Sequence, residues 1–216
     1  MRRILAVVAH ADDEVFGAGG ILNLYHEHAE VLCLVGADIT RQKELKDACN
    51  ILKTNVNMLN YNDFQIKPDK DLIQEIVEVI LRVRPQVIIT HHSEDYHIDH
   101  RNTFFVTTEA AEWASHTTQY GDRAWRIDKI LCMEINSLLT RPNLIIDISS
   151  VMDTKIRAIE AHASQLAKTD NYYKEFTIQK ARLRGIQGGY AFGEAFKIEH
   201  LLHAGPFYPK GLKKDI

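Results

Sequence analysis

The chain has 216 residues, with 26 basic and 29 acidic side chains and a formal net charge of −3. That length fits one domain of ordinary size, taken as residues 1–216, and 45% hydrophobic with 25% charged residues excludes a mostly disordered chain. The charge balance offers no broad basic surface, which argues against nucleic acid as a partner; the longest apolar stretches, Ile4 to Ala9 and Val31 to Ala37, fall short of the roughly 20 residues of a membrane span.

The opening Met-Arg-Arg and its apolar run break at His10 into three acids, which no signal sequence tolerates, so a cytoplasmic location is expected. Ile4 to Ala9 reads as a parallel strand buried on both faces. A helix over Gly17 to His28 follows, then a strand over Val31 to Val35 and a helix from Thr40, as N-cap, to Lys53. Val56 to Leu59 is a short strand, Pro68 to Val83 a helix, and Gln86 to Thr90 a fourth strand after Pro85. A helix from Asp99 to Ser115 precedes two strands, Arg126 to Ile135 and Leu144 to Ile148. Helical segments over Ser149 to Leu166 and Asn171 to Gly185, a Gly188–Gly189 turn, a strand from Ala195 to Leu202 and a terminal arm from Gly205 complete the chain. Strands separated by helices imply crossover units. The fold expected is Rossmann-like α/β, an open, mostly parallel sheet flanked by helices, with a helical C-terminal extension and a late strand.

Ligands of such sheets bind beyond the carboxyl ends of the strands. The first strand runs into His10-Ala11-Asp12-Asp13-Glu14, and the fourth into a loop with His91, His92, Asp95, Tyr96, His97, Asp99 and His100. Histidine and carboxylate together suit a borderline metal such as zinc, whose catalytic sites take three protein ligands and leave a place for water. His10, Asp13 and an imidazole of the second loop would make such a set. Capping of the next helix by the acids is the plainer reading of any one of them. Gly17-Ala18-Gly19-Gly20 lacks the dinucleotide spacing, and three acids before it would repel a pyrophosphate. Cys33, Cys49 and Cys132 read as buried and unpaired.

The opening motif with its glycines, Asp95-Tyr96-His97-Ile98-Asp99-His100, Arg41-Gln42-Lys43-Glu44, and His162-Ala163-Ser164-Gln165 together resemble the zinc-dependent N-acetylglucosaminyl deacetylases of the LmbE-like, or PIG-L-like, family. The resemblance implies one zinc per chain on His10, Asp13 and His100, with Asp12 as general base. It places His97 beside the metal, Asp99 orienting it, and Arg41 on the sugar side. Asp95 is a candidate for a loop turn or a substrate hydroxyl. A carboxylate beside His97 would favour its charged form, while a nearby cation would oppose it. Phe192 stands where the family often has tyrosine, and Tyr190 is the candidate substitute. The implied partner is a small N-acetylated sugar or glycoconjugate, with a homo-oligomer left open. A metal-dependent phosphoesterase and a non-catalytic metal-stabilised sugar-binding protein are the competing readings. His91 and His92 read as packing residues, and Arg182 and Arg184 as a solvated helix face.

Overall fold

The computed structural model describes residues 2–36 and 38–201. The first apolar run becomes β1 (Ile4–Val8), buried throughout. Successive side chains of a strand point to opposite faces, so Ile4, Ala6 and Val8 enter one core and Leu5, Val7 and Ala9 another. The next elements are α1 (Asp13–Leu24), β2 (Ala29–Val35), α2 (Ile39–Leu52), β3 (Asn55–Tyr61), α3 (Lys70–Val83) and β4 (Val87–His91). Then come α4 (Ile98–Ala114), the single turn α5 (Thr117–Tyr120) and β5 (Lys129–Met133). The last third contributes β6 (Leu144–Asp147), α6 (Met152–Glu160), α7 (Ala163–Lys168), α8 (Tyr172–Gly188) and β7 (Gly193–Glu199).

Among the described residues the strands form one seven-stranded sheet in the order β3-β2-β1-β4-β5-β7-β6. The first five in sequence pair in parallel, and β7 runs antiparallel to both its neighbours, β5 and β6. Residues of α1, α2 and α6 pack into the core on one face, and those of α3 and α4 into the core on the other. The chain winds outward from β1 to β3, then crosses to β4 on the other side of β1. Open α/β sheets bind ligands in the crevice at that switch. The expected Rossmann-like architecture, with its C-terminal helices and late strand, is the one found.

Local differences have local causes. α1 begins at Asp13, four residues before the expected start, with Asp13 and Glu14 in its first turn where the positive end of the helix favours acids. Asp38 rather than Thr40 caps α2, its side chain accepting the Arg41 amide at 3.0 Å. The expected Ser149–Leu166 helix breaks between α6 and α7 at His162, whose ring turns inward onto Glu14. Arg184, expected in solvent, is 4% exposed and pairs with Glu134. The three cysteines are buried and free. Leu202 and the arm from Gly205 lie outside the described residues.

Candidate active site

The turn after β1 is held from several directions. The Asp13 amide donates to the His10 carbonyl, and Asp13 Oδ2 accepts the His10 amide at 2.8 Å. Asp12, the residue before α1, has φ 132°, a conformation that costs a non-glycine residue energy. Two contacts hold it there: its amide donates to Glu14 Oε2 at 2.9 Å, and Arg41 Nη2 reaches both the Ala11 carbonyl (2.6 Å) and Asp12 Oδ2 (3.2 Å). α1 can lie close to the sheet because its glycines leave room. A Cβ at Gly17 would stand 2.5 Å from Met133 Sδ, and one at Gly20 2.5 Å from Ile148 Cγ2.

The second loop arrives from β4. His97 caps α4, its Nδ1 accepting the Asp99 amide at 3.2 Å, and the first turn of the helix then presents His100. Three candidate ligands meet here. His10 Nδ1 is 3.3 Å from His100 Nε2 and 3.4 Å from Asp13 Oδ2, while His100 Nε2 is 3.4 Å from Asp13 Oδ1. The two imidazoles thus meet different oxygens of one carboxylate, and two nitrogens with a carboxylate are a donor set that fits zinc in its chemistry. The other nitrogen of each histidine meets a carboxylate, Asp99 Oδ2 for His10 (3.3 Å) and Asp95 Oδ1 for His100 (3.3 Å), the arrangement that orients metal-binding imidazoles.

The electrostatics favour a cation. Burial alone would lower the pKa of His10, but the Asp13 and Asp99 carboxylates outweigh it and raise it to about 10. His100 is likewise pushed up to about 9 by Asp13 and Asp95 against its burial. Asp13 is buried too, yet the surrounding histidines hold it well below the usual carboxylate range. Protons thus stand where a metal ion would, and binding one releases them. Burial and the Asp13 charge push Asp12 up to about 7, against the pull of Arg41 and His162.

His10, Asp12, Asp13, His97, His100 and Arg41 share one cleft of about 250 Å³. Two expected residues do not line it. Asp95 is 1% exposed and accepts the His97 amide at 2.9 Å while facing His100, so it stands behind an imidazole rather than beside a substrate. Asp99 is fully buried, and its carboxylate goes to His10 and to the Phe64 amide (2.7 Å), not to the ring of His97. The pKa of His97 accordingly falls, because burial and the neighbouring His100 and His10 outweigh Asp99, so its ring is neutral at pH 7. Tyr190 lies outside the lining, and Phe192 packs under Arg182.

The sequence reading missed the lining residues Phe16, Asp63, Phe64, Ile135, Asn136 and Tyr173, and gave no role to Tyr96 and Gln165, which stand in its motifs. Asp63 and Phe64 follow the end of β3, so the strand-end rule that found the two motifs would have found them as well. Phe64 sits at φ 61°, 69% exposed, with its ring 5.4 Å from that of His97. Tyr173 comes from α8, distant in sequence from either motif. Burial first, then Tyr96 with which it hydrogen-bonds, pushes its phenol up to about 12.

Relatives share this scaffold. The chain is 26% identical to the diacetylchitobiose deacetylase of Thermococcus kodakarensis, over 96% of this chain and 87% of that one. It is 27% identical to the 4-oxalmesaconate hydratase of Pseudomonas putida, over 85% and 80%. The crystal structure of the conserved protein TT1542 from Thermus thermophilus superposes with a TM-score of 0.84 at 22% identity, covering 97% of this chain and all of that one. Among the described residues no helix is long and apolar enough to cross a membrane. Residues 5–111, which carry both motifs, match the family model described as PIG-L: GlcNAc-PI de-N-acetylase, and it is this family that the chain resembles.

Proposed function

We propose that this protein is a zinc-dependent hydrolase that removes the acetyl group from an N-acetylated amino sugar of the N-acetylglucosamine type, free or conjugated. The observation that carries the reading is the meeting in one cleft of His10 Nδ1 and His100 Nε2, 3.3 Å apart, each 3.4 Å from a different oxygen of Asp13, with Asp12 beside them. When bound, one zinc per chain supplies an activated water at neutral pH and polarises the acyl oxygen. Asp12, with a pKa near 7, takes the proton of the attacking water and later delivers it to the leaving amine nitrogen. Arg41 holds that carboxylate in place and closes the sugar side of the cleft. His97, neutral with Nδ1 on the Asp99 amide, keeps its proton on Nε2 and offers that N–H as a hydrogen-bond donor to the developing oxyanion.

The lining favours a neutral amide over an anionic substrate. Arg41 is the one arginine or lysine among the lining residues, and its Nη2 is already tied to Asp12 and Ala11. Asp63 adds another acid at the rim. The lining thus offers an anionic substrate such as a phosphoester no second arginine or lysine to pair with. We take residues 1–216 as one working domain, since both motif loops hang from one sheet. Free buried cysteines accord with a cytoplasmic setting.

The test is a panel of N-acetylated sugars, sugar nucleotides and sugar-lipid head groups, read by amine release, with elemental analysis of the same preparation. Amine release from at least one sugar together with one zinc per chain is expected. Zinc with no amine release from any sugar, but hydration of an unsaturated dicarboxylate, would overturn the substrate class; no metal at all would overturn the chemistry.

A further inference from the structure

His91, the last residue of β4, presents a contradiction. It is fully buried, and it forms with Asp13 and His100 a group whose donor atoms all lie within 4.8 Å of one another. Its Nε2 is 3.4 Å from Asp13 Oδ2, and its ring stacks on that of His100 with centroids 4.0 Å apart and planes at 27°. By reach it is a fourth ligand.

By hydrogen bonding it is not, because Nε2 accepts the Ala9 amide at 3.0 Å. A backbone N–H can only donate, so Nε2 offers its lone pair there, and the neutral ring carries its proton on Nδ1, a buried atom with no other partner among the described residues. The amide has a reason to seek that ring. The paired register of β1 with β4 runs from Ile4↔Val87 to Ala6↔Ile89 and stops before Ala9, and a buried N–H left without a partner is costly.

We propose that His91 is a positioning residue held out of the metal shell. By accepting the Ala9 amide it fixes the entry to the turn that carries His10 and Asp13, and by lying flat on His100 it fixes the ligand from the other loop. The ladder gap at the end of β1 thereby decides the character of the site: three protein ligands leave an open position for chemistry, whereas a fourth would close it as a structural centre. This inference rests on the reading of His10, Asp13 and His100 as the metal ligands.

Two variants of the full chain separate its parts. His91→Phe keeps a flat ring against His100 but offers the Ala9 amide no acceptor, and His91→Gln places an amide oxygen near the position of Nε2 but removes the ring. The readouts are zinc affinity by chelator competition, the visible spectrum of the cobalt-substituted protein, which reports donor set and geometry, and the melting temperature of the metal-free chain. We expect His91→Phe to bind zinc about 10–100-fold more weakly, the usual cost of losing a group that orients the ligands, with His91→Gln recovering most of the loss. The cobalt spectrum should keep the same donor set in both.

A changed donor set in both variants would make His91 a ligand and overturn the proposal. Lower melting temperatures with wild-type zinc affinity would make it packing alone and overturn it equally. Should the variants not fold, nitrogen NMR of the wild-type ring decides: a protonated Nδ1 and an Nε2 resonance that zinc does not displace support the proposal, and a zinc-induced shift of Nε2 refutes it. A wild-type chain that binds neither zinc nor cobalt would refute the parent reading instead, and that result appears before any substitution is made.

Discussion

Asp12 combines strain, a perturbed pKa and a place beside the ligand set. Its backbone is held at φ 132°, and its carboxylate is fixed by Arg41 next to Asp13. Asp12→Asn should leave zinc content unchanged and lower kcat by roughly 10²–10⁴-fold, the usual worth of a positioned base; elemental analysis beside steady-state rates checks both halves, and loss of zinc would make Asp12 a ligand. The two acids behind the histidines should behave in the opposite way. Asp99→Asn removes the charge facing His10 Nε2, so zinc affinity should fall about 10–100-fold, measured against a competing chelator. A lower kcat with full zinc affinity would return Asp99 to an active role in the cleft. His10, Asp13 and an imidazole of the second loop were legible because both motifs lie at strand ends, where side chains converge by topology; Arg41, on α2, was reached only through the family resemblance. The partnering of Asp95 and Asp99 was not legible. Which of three adjacent imidazoles a carboxylate faces depends on the phase of α4 and on the distant Phe64 amide, and no spacing in the sequence encodes either.

Among the elements, α1 carries most of the constraints. Its first turn holds Glu14, which pairs with His162 at 2.8 Å in full burial, and its middle amides at Gly20 and Ile21 donate to Glu194 at 2.7 and 2.9 Å. Lys155 in turn contacts Glu194 and the Phe16 carbonyl, so the C-terminal helices grip the helix that follows the first motif. The Glu14 carboxylate raises the pKa of His162 against its burial. A histidine whose folded pKa is raised contributes stability that is complete below about 6.5 and is lost as pH climbs through the folded value. The unfolding free energy should therefore fall over that window by at most about 1.4 kcal/mol per pH unit on account of this group, and His162→Gln should lack that slope. Urea melts at a series of pH values test it, and parallel profiles for the two proteins would show that the pair does not titrate. The elements themselves were readable from apolar runs and helical spacing. Their joints were not: α1 starts early and α6 stops early because of side chains that meet from opposite ends of the chain.

At the scale of the molecule, the sheet is continuous from β3 to β6, and beyond the crossing to β4 its order departs from the order of synthesis a second time. β7, the last strand described, lies between β5 and β6, and each pairs with it in an antiparallel register. β6 has no other partner in the sheet. Stopping the chain at residue 190 should leave β6 unpaired and the β5 edge open, and such edges seek other chains. The truncated protein should accumulate as oligomers by light scattering, without the cooperative melt of the full chain; a monomeric, cooperatively melting fragment would show the edge to be tolerated.

The same strand order bears on how the protein is made. A ribosome delivers both motif loops within the first 100 residues, long before β7 emerges, and domains form as units during synthesis. Glu194, which receives the α1 amides, arrives with that last strand. Emergence of β7, rather than translation of the motifs, is then the event that locks the helix behind the ligand-bearing turn. A stalled or prematurely ended chain would carry every candidate ligand and still lack the latch.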